Sequence, residues 1–309
     1  MAIKTEFTFL SRDGKTKVHA ARWVPEGEIR GIFQIIHGMQ EYINRYERFA
    51  NFLCDQGFVV TGEDHLGHGE TAPTKEELGY FAEKDADTIV VRDAHRLKKM
   101  TQEEYPNLPY FVLGHSMGSF IARKYLCMYG SGITGAIIMG TGVMPGAVTG
   151  FGKFLCSFLS LFKGQHGKSR LITNISFGAY LKKIENPRTD KDWLTHDPAI
   201  VDAYLADPFC MFDFTLNGYH TLFSVLHYVC REKNLTTIPE KLPIFVCAGE
   251  EDPVGNYGEG PTKVAETYKK LGIKDVTLKL YPQMRHEVLN EIGHEAVDED
   301  ILNWLLAHL

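Results

Sequence analysis

Tyr110–Phe120 reads "YFVLGHSMGSF". Apolar residues from Tyr110 to Leu113 lead into Gly114-His115-Ser116-Met117-Gly118, and a run of helical character follows. The pattern Gly-x-Ser-x-Gly is short enough to arise by chance, so its surroundings decide what it means. An apolar strand before it and a helix after it predict a sharp strand-to-helix turn with Ser116 at its apex. Such a turn presses backbone against backbone, which is why Gly114 and Gly118 flank it. The helix start would set N–H groups and a positive dipole end beside Ser116. A serine hydroxyl is a weak nucleophile until a base takes its proton. Ser116 therefore needs a base, an acid to orient that base, and oxyanion donors from elsewhere in the chain.

Outward from this turn the chain alternates. Residues 5–10 and 17–23 read as strands around the turn "SRDGK". "GIFQIIHG" is a buried strand ending in a glycine turn, 44–56 a helix, and "GFVVTGEDH" a further strand. A helix over 85–105 stops before Pro106, "PYFVLGHS" is a strand, 117–130 a helix and "TGAIIMG" a strand. "LPIFVCAGEED" and "DVTLKLYP" complete the strands, with helices at 261–272 and 296–308. Such alternation implies a parallel sheet with helices on both faces. Residues 145–235 break the rhythm, with dense aromatic residues and no convincing strand. The expected fold is α/β: a core of 1–144 and 236–309 with a mostly parallel central sheet, and a helical cap at 145–235 over the carboxyl edge of the sheet.

Composition excludes several classes. The 309 residues are 44% hydrophobic and 23% charged with net charge -6, as in a soluble globular protein with a large core. No basic patch stands out, so nucleic acid is not an expected partner. Six cysteines at 54, 127, 156, 210, 230 and 247 form no Cys-x-x-Cys pair. They read as reduced thiols of a cytoplasmic protein. The N-terminus lacks an apolar signal region, and no run approaches the ~20 residues of a membrane span. His65 and His68 lie in a glycine-rich loop without a third ligand, and "GTGVMPG" misses the dinucleotide spacing. Neither a metal nor a cofactor is expected.

Active sites of open α/β sheets lie beyond the carboxyl ends of the strands. Polar clusters occur at such ends here: His37-Gly38-Met39, Asp64-His65, Ser116 and Glu250-Glu251-Asp252, with His286 shortly after the last strand. His286, in the loop "YPQMRHEVLN", is the expected base, because an imidazole titrates near working pH. Asp252, just past a strand end, is the expected acid, with Glu250 and Glu251 as competitors. The backbone N–H groups of Met117 and Met39 are the expected oxyanion donors, a role that asks nothing of the side chain. His37 and Asp64 are expected to shape and brace their loops.

Taken together, "IIHGMQEYINRY", "GEDHLGHGET", "LGHSMGSF", "GEEDPVG" and "RHEVLNE" resemble the motifs of the monoacylglycerol lipase and lysophospholipase group of α/β-hydrolases, in order and at matching places. The resemblance implies an α/β-hydrolase fold with a mobile cap, and serine carboxylester hydrolysis. It carries the nucleophile onto Ser116, the acid onto Asp252, the base onto His286 and the oxyanion donors onto Met39 and Met117. Tyr42 stands where a histidine is common, Glu70 where an arginine is common, and Ser119 where a glycine is usual.

The cap begins with "FGKFLCSFLSLF", in which Phe151, Phe154, Leu155, Phe158, Leu159 and Phe162 fall on one helical face. That face lines an acyl channel or touches a lipid or membrane surface, or it packs on the core, and both can hold at different ends of the helix. Phe151, Phe154, Phe158 and Phe162 are the expected substrate contacts. "HDPAIVDAYLADP" reads as a helix with Asp197 as N-cap and Pro198 in its first turn. The expected substrate is a small-molecule acyl ester, with monoacylglycerols foremost. Proline iminopeptidase, aryl esterase and thioesterase chemistries use the same triad. A passive ligand-binding protein is the rival from outside enzymology. Cap carboxylates Glu185, Asp190, Asp192, Asp202, Asp207 and Asp213 keep the peptidase alternative open.

Overall fold

The structure is a computed structural model and describes residues 2–309. In chain order the core elements before the insertion are β1 (Ile3–Leu10), β2 (Lys17–Val24), β3 (Gly31–Ile36), α1 (Glu47–Asp55), β4 (Phe58–Glu63), α2 (Ala86–Glu104), β5 (Tyr110–His115), α3 (Met117–Tyr129) and β6 (Gly135–Met139). The insertion carries α4 (Gly146–Lys163), α5 (Arg170–Phe177), α6 (Pro198–Ala206), α7 (Leu216–Val229) and α8 (Glu232–Leu235). The chain closes with β7 (Ile244–Gly249), α9 (Glu259–Lys270), β8 (Val276–Tyr281) and α10 (Glu295–Leu306).

All eight strands join one sheet in the order β1-β2-β4-β3-β5-β6-β7-β8. The β1–β2 and β2–β4 pairs are antiparallel and the rest parallel, so the sheet is mostly parallel as expected. Because strand side chains alternate, neighbouring residues feed opposite faces. Ile32, Val59, Val112, Ile138 and Val246 pack under α2, α3 and α9 through Val90, Leu97, Ile121, Tyr125 and Val264. Phe33, Val60, Phe111, Ile137 and Phe245 pack under α1 and α10 through Phe49, Leu53, Ile301 and Trp304. Both faces are covered, which is why these strands read as continuous apolar runs rather than alternating ones.

Two local details differ from the expected elements. The helix expected over 44–56 is a 3₁₀ turn, Ile43–Tyr46, followed by α1. The insertion also gains one isolated antiparallel bridge between Lys168 and Thr215. The N-cap at α6 matches its expectation: the Asp197 carboxylate accepts from the Ala199 N–H at 2.8 Å, with Pro198 opening the helix.

Helix α4 orients itself in an unexpected way. Its small residues face α7, where a side chain on Gly152 would lie 2.9 Å from the Phe223 ring. Thr149 and Cys156 are buried on the same side. Close approach along a stripe of small residues gains more packing than seating bulky rings there, so the phenylalanine face turns outward.

Candidate active site

Ser116 sits between β5 and α3 at φ 55° and ψ -122°, a positive φ that costs an L-residue about 1–2 kcal/mol. The turn is held by hydrogen bonds at both ends. Ser116 N donates to the Met139 carbonyl at 3.0 Å. The Ser116 carbonyl accepts from Ser119 N at 2.9 Å and Ser119 Oγ at 2.6 Å. Ser119, the departure from the usual glycine, thus braces the turn. Gly118 is obligatory, because a Cβ there would stand 1.9 Å from the Ile36 carbonyl oxygen.

The loop after β8 brings His286 to the sheet edge. Its Nδ1 lies 2.9 Å from Asp252 Oδ2, and both residues are buried. A carboxylate only accepts, so Nδ1 carries the proton and Nε2 presents its lone pair. Among the described residues that Nε2 has no hydrogen-bond partner. The other Asp252 oxygen accepts from Val254 N at 2.8 Å. Glu250 and Glu251 are exposed, and Glu251 pairs with His196 instead, 3.2 Å away. The Trp193 ring packs 5.1 Å from the His286 ring and walls it from above.

The loop after β3 passes close to Ser116. A Cβ on Gly38 would lie 2.9 Å from Ser116 Cβ, so only glycine lets the loop approach. Met39 follows in that loop and Met117 opens α3, where the first N–H groups of a helix lack internal partners. Met39, Ser116, Met117 and His286 border one cavity of about 220 Å³. Its deeper walls are apolar, including Phe120, Leu155, Ile172, Leu222, Phe223 and Leu226 from α3, α4, α5 and α7. Trp193, Tyr180 and Tyr204, with Leu194 and Val254, line it as well.

Phe151 lines this cavity, but Phe154, Phe158 and Phe162 do not. They stand 63%, 46% and 75% exposed on the outer face of α4. The expectation that they contact substrate is corrected for this conformation, for the packing reason given above.

Beneath the serine lies a charged cluster. Arg45 donates to both Glu287 oxygens at 2.8 Å and to Glu41 at 3.2 Å, with all three side chains nearly buried. Glu41 also accepts from Gly38 N and from Tyr46 OH, and lies 3.0 Å from His115 Nδ1. Burial works against the charge on Glu41, yet the facing His115 and Arg45 hold its carboxyl below the ordinary range. Burial likewise disfavours a charged His115, but Glu41 outweighs it and raises the imidazole pKa. His115 Nε2 reaches the His286 carbonyl at 3.3 Å. The cluster thereby links the Met39 loop, the serine turn and the His286 loop. Glu41 and Arg45 went unassigned in the sequence. Their four-residue spacing, which suits an acid–base pair on one turn of helix, is the available signal.

His37 and Asp64 sit as expected. His37 Nδ1 bonds the Gly38 carbonyl at 2.8 Å, and its Nε2 accepts from His65 N at 3.0 Å. Asp64 accepts from Ile43 N at 2.8 Å, Glu70 N at 2.9 Å and the His19 ring at 2.9 Å. His65 and His68 are fully buried, and burial drives their pKa values down to about 4 and about 3, so both rings stay neutral. Among the described residues no group of His, Cys, Asp and Glu is arranged to hold a metal ion, and no helix is long and apolar enough to cross a membrane.

Comparison with known proteins gives a consistent picture. The sequence pattern of the family described as "Serine aminopeptidase, S33" matches residues 27–293. The chain is 26% identical to the monoacylglycerol lipase of Mycolicibacterium smegmatis over 311 residues, covering 99% of this chain and 98% of that protein. It is 27% identical to the human monoglyceride lipase over 285 residues, 88% of this chain and 83% of the relative. Among solved structures, a thermostable carboxyl esterase from Bacillus coagulans in complex with glycerol superposes with a TM-score of 0.92 at 33% identity, covering 100% and 99% of the two chains.

Proposed function

The chain belongs to the serine aminopeptidase S33 family, on the α/β-hydrolase fold of the monoacylglycerol lipases, and is a serine hydrolase of the lipase and esterase kind; from that premise we propose that it cleaves monoacylglycerols and related fatty-acyl esters through Ser116, His286 and Asp252. His286 Nε2 takes the Ser116 proton as Oγ attacks the ester carbonyl. The N–H groups of Met39 and Met117 receive the oxyanion. His286 then protonates the leaving alcohol, activates a water, and the acyl-enzyme is hydrolysed. Asp252 holds the imidazole in the working tautomer. The observation that carries this reading is the Asp252–His286 pair at one end of an apolar cavity that Ser116 also borders.

The apolar depth of the cavity favours a fatty-acyl chain over a peptide. A free amine would need an unpaired carboxylate. Glu41 and Glu287 border the cavity but are each paired with Arg45, and Glu41 also with His115, and none of the cap acids named above is a lining residue. Residues 145–235 act as the cap over a core of 1–144 and 236–309. A transient contact with a lipid surface fits the exposed Val148, Phe151, Phe154, Phe158, Leu161 and Phe162. From 146 to 184 the chain has six Lys or Arg residues and no acid, within a chain of net charge -6. That pattern suits an anionic surface. All six cysteines are free, in keeping with a cytoplasmic enzyme.

The test is hydrolysis of a monoacylglycerol series from short to long chains, with Ser116→Ala as control and fluorophosphonate labelling alongside. Rates that rise with chain length, and labelling lost in the variant, are expected. No hydrolysis by a folded wild-type protein would sink the lipase assignment.

A further inference from the structure

The loop that carries Met39 is held from two sides. From the core, Gly38 N donates to Glu41 and Ile43 N donates to Asp64. From the insertion, the Gln40 side-chain amide donates to the Phe212 carbonyl, and Tyr42 OH donates to Asp207 Oδ2 at 2.7 Å. The Tyr42 ring also packs on Phe209 with centroids 5.5 Å apart. Asp207 is itself fixed, since its second carboxylate oxygen accepts from Phe209 N at 2.8 Å and its carbonyl accepts from Cys210 N at 3.0 Å. Residues 207–212 thus form a rigid turn of the insertion seated on the Met39 loop.

Gln40 needs this seat. Its φ is 58°, a conformation that L-residues adopt only when their surroundings impose it. Met39 lies between Gly38, pinned by the core, and Gln40, pinned by the insertion. A shift of the 207–212 turn would relax Gln40 and rotate the Met39 peptide, whose N–H must point at a developing charge.

We propose that Tyr42 and Gln40 are positioning residues that make the oxyanion site depend on the seated cap: the 207–212 turn docks on the loop, and the Met39 N–H comes into line only while it is docked. Tyr42, which departs from the histidine common at its place, finds its partner in Asp207. When the turn lifts, the serine, its base and the Met117 N–H stay in place, but the Met39 donor is lost. Catalysis is thereby confined to the closed enzyme, in which residues of the insertion wall the cavity. The proposal rests on the esterase reading above.

Tyr42→Phe keeps the ring and removes only the hydroxyl. It is expected to lower kcat about tenfold while KM for medium-chain esters changes less than about twofold. The Ki of an alkyl boronic acid, whose tetrahedral adduct occupies the oxyanion site, should rise in parallel with the loss in kcat. Asp207→Ala should reproduce both effects, and the double variant should be no worse than either single one. Asp207→Asn should keep near-wild-type kcat, because its amide still bonds the phenol. Melting temperature reports whether the variants fold. Unchanged kcat and boronate affinity in folded Tyr42→Phe would overturn the proposal, as would a rise in KM alone. An inactive wild-type protein would instead strike the esterase reading, so the two failures are distinguishable.

Discussion

Replacing Arg45 by methionine tests the charged cluster beneath the serine. Arg45 makes a bidentate contact with Glu287 at 2.8 Å and a third with Glu41 at 3.2 Å. The side chains of Arg45, Glu287 and Glu41 are 11%, 4% and 5% exposed, so water does little to replace the lost cation. Unit charges about 4 Å apart at an effective dielectric near 20 interact by about 4 kcal/mol. Removing one partner from a buried pair costs about 3–5 kcal/mol, because the other charge is left stranded. Glu41 keeps His115 as a partner, so Glu287 bears most of the loss. The pH dependence follows from the sign of its shift. Burial raises the Glu287 pKa in the native protein, but Arg45 outweighs it and the net shift is downward. Its contribution is therefore present above the unfolded value near 4.3 and is lost as pH falls through the folded value. Without Arg45 the shift reverses, and folded Glu287 takes a proton before the unfolded chain does. The variant then regains about 1.4 kcal/mol per pH unit as acid is added. Urea unfolding should show a deficit of about 4 kcal/mol at neutral pH, shrinking to about 1 kcal/mol near pH 4.5. Glu287→Gln added to Arg45→Met should recover about 2 kcal/mol at neutral pH. A deficit below about 1 kcal/mol at neutral pH, or one that does not change with pH, would refute this account.

Three further outcomes are expected. Gly38→Ala drives a Cβ to 2.5 Å from Glu41 Oε1 and 2.9 Å from Ser116 Cβ. Ester turnover should fall about 100-fold or more, and the melting temperature should fall as well because overpacking costs about 1–3 kcal/mol, as measured by initial rates and calorimetry. Leu226→Trp fills part of the apolar depth of the cavity. It should lower kcat/KM for long-chain monoacylglycerols and spare short ones, and equal losses across the series would place the acyl chain elsewhere. Phe214→Ala removes a fully buried ring that packs against Phe81, His68 and Tyr219. A stability loss of about 3–5 kcal/mol by urea unfolding is expected.

The strands and the helices of the core were legible because each carries a local signature. A buried parallel strand must be apolar on both faces, and β3, β5 and β7 are written that way in the sequence. The turn at Ser116 was legible because only glycine survives the approach of Gly118 to the Ile36 carbonyl. Asp252 and His286 were singled out by their positions after strand ends, and the structure brings them within 2.9 Å. Periodicity also found the apolar face of α4, but not the direction that it faces. A helix with small residues on one side and phenylalanines on the other can be turned either way, and its neighbour α7 decides.

By itself, the sequence determined the sheet, the serine turn and the candidate triad, because each depends on residues whose spacing is set by backbone geometry. Tertiary packing alone sets which side of α4 borders the cavity, that Arg45 meets Glu287 across 242 positions of chain, and that Tyr42 meets Asp207 across 165. Those contacts join segments distant in sequence. No local period encodes a long-range contact, and it exists only once the packing of intervening elements has fixed where each segment lies.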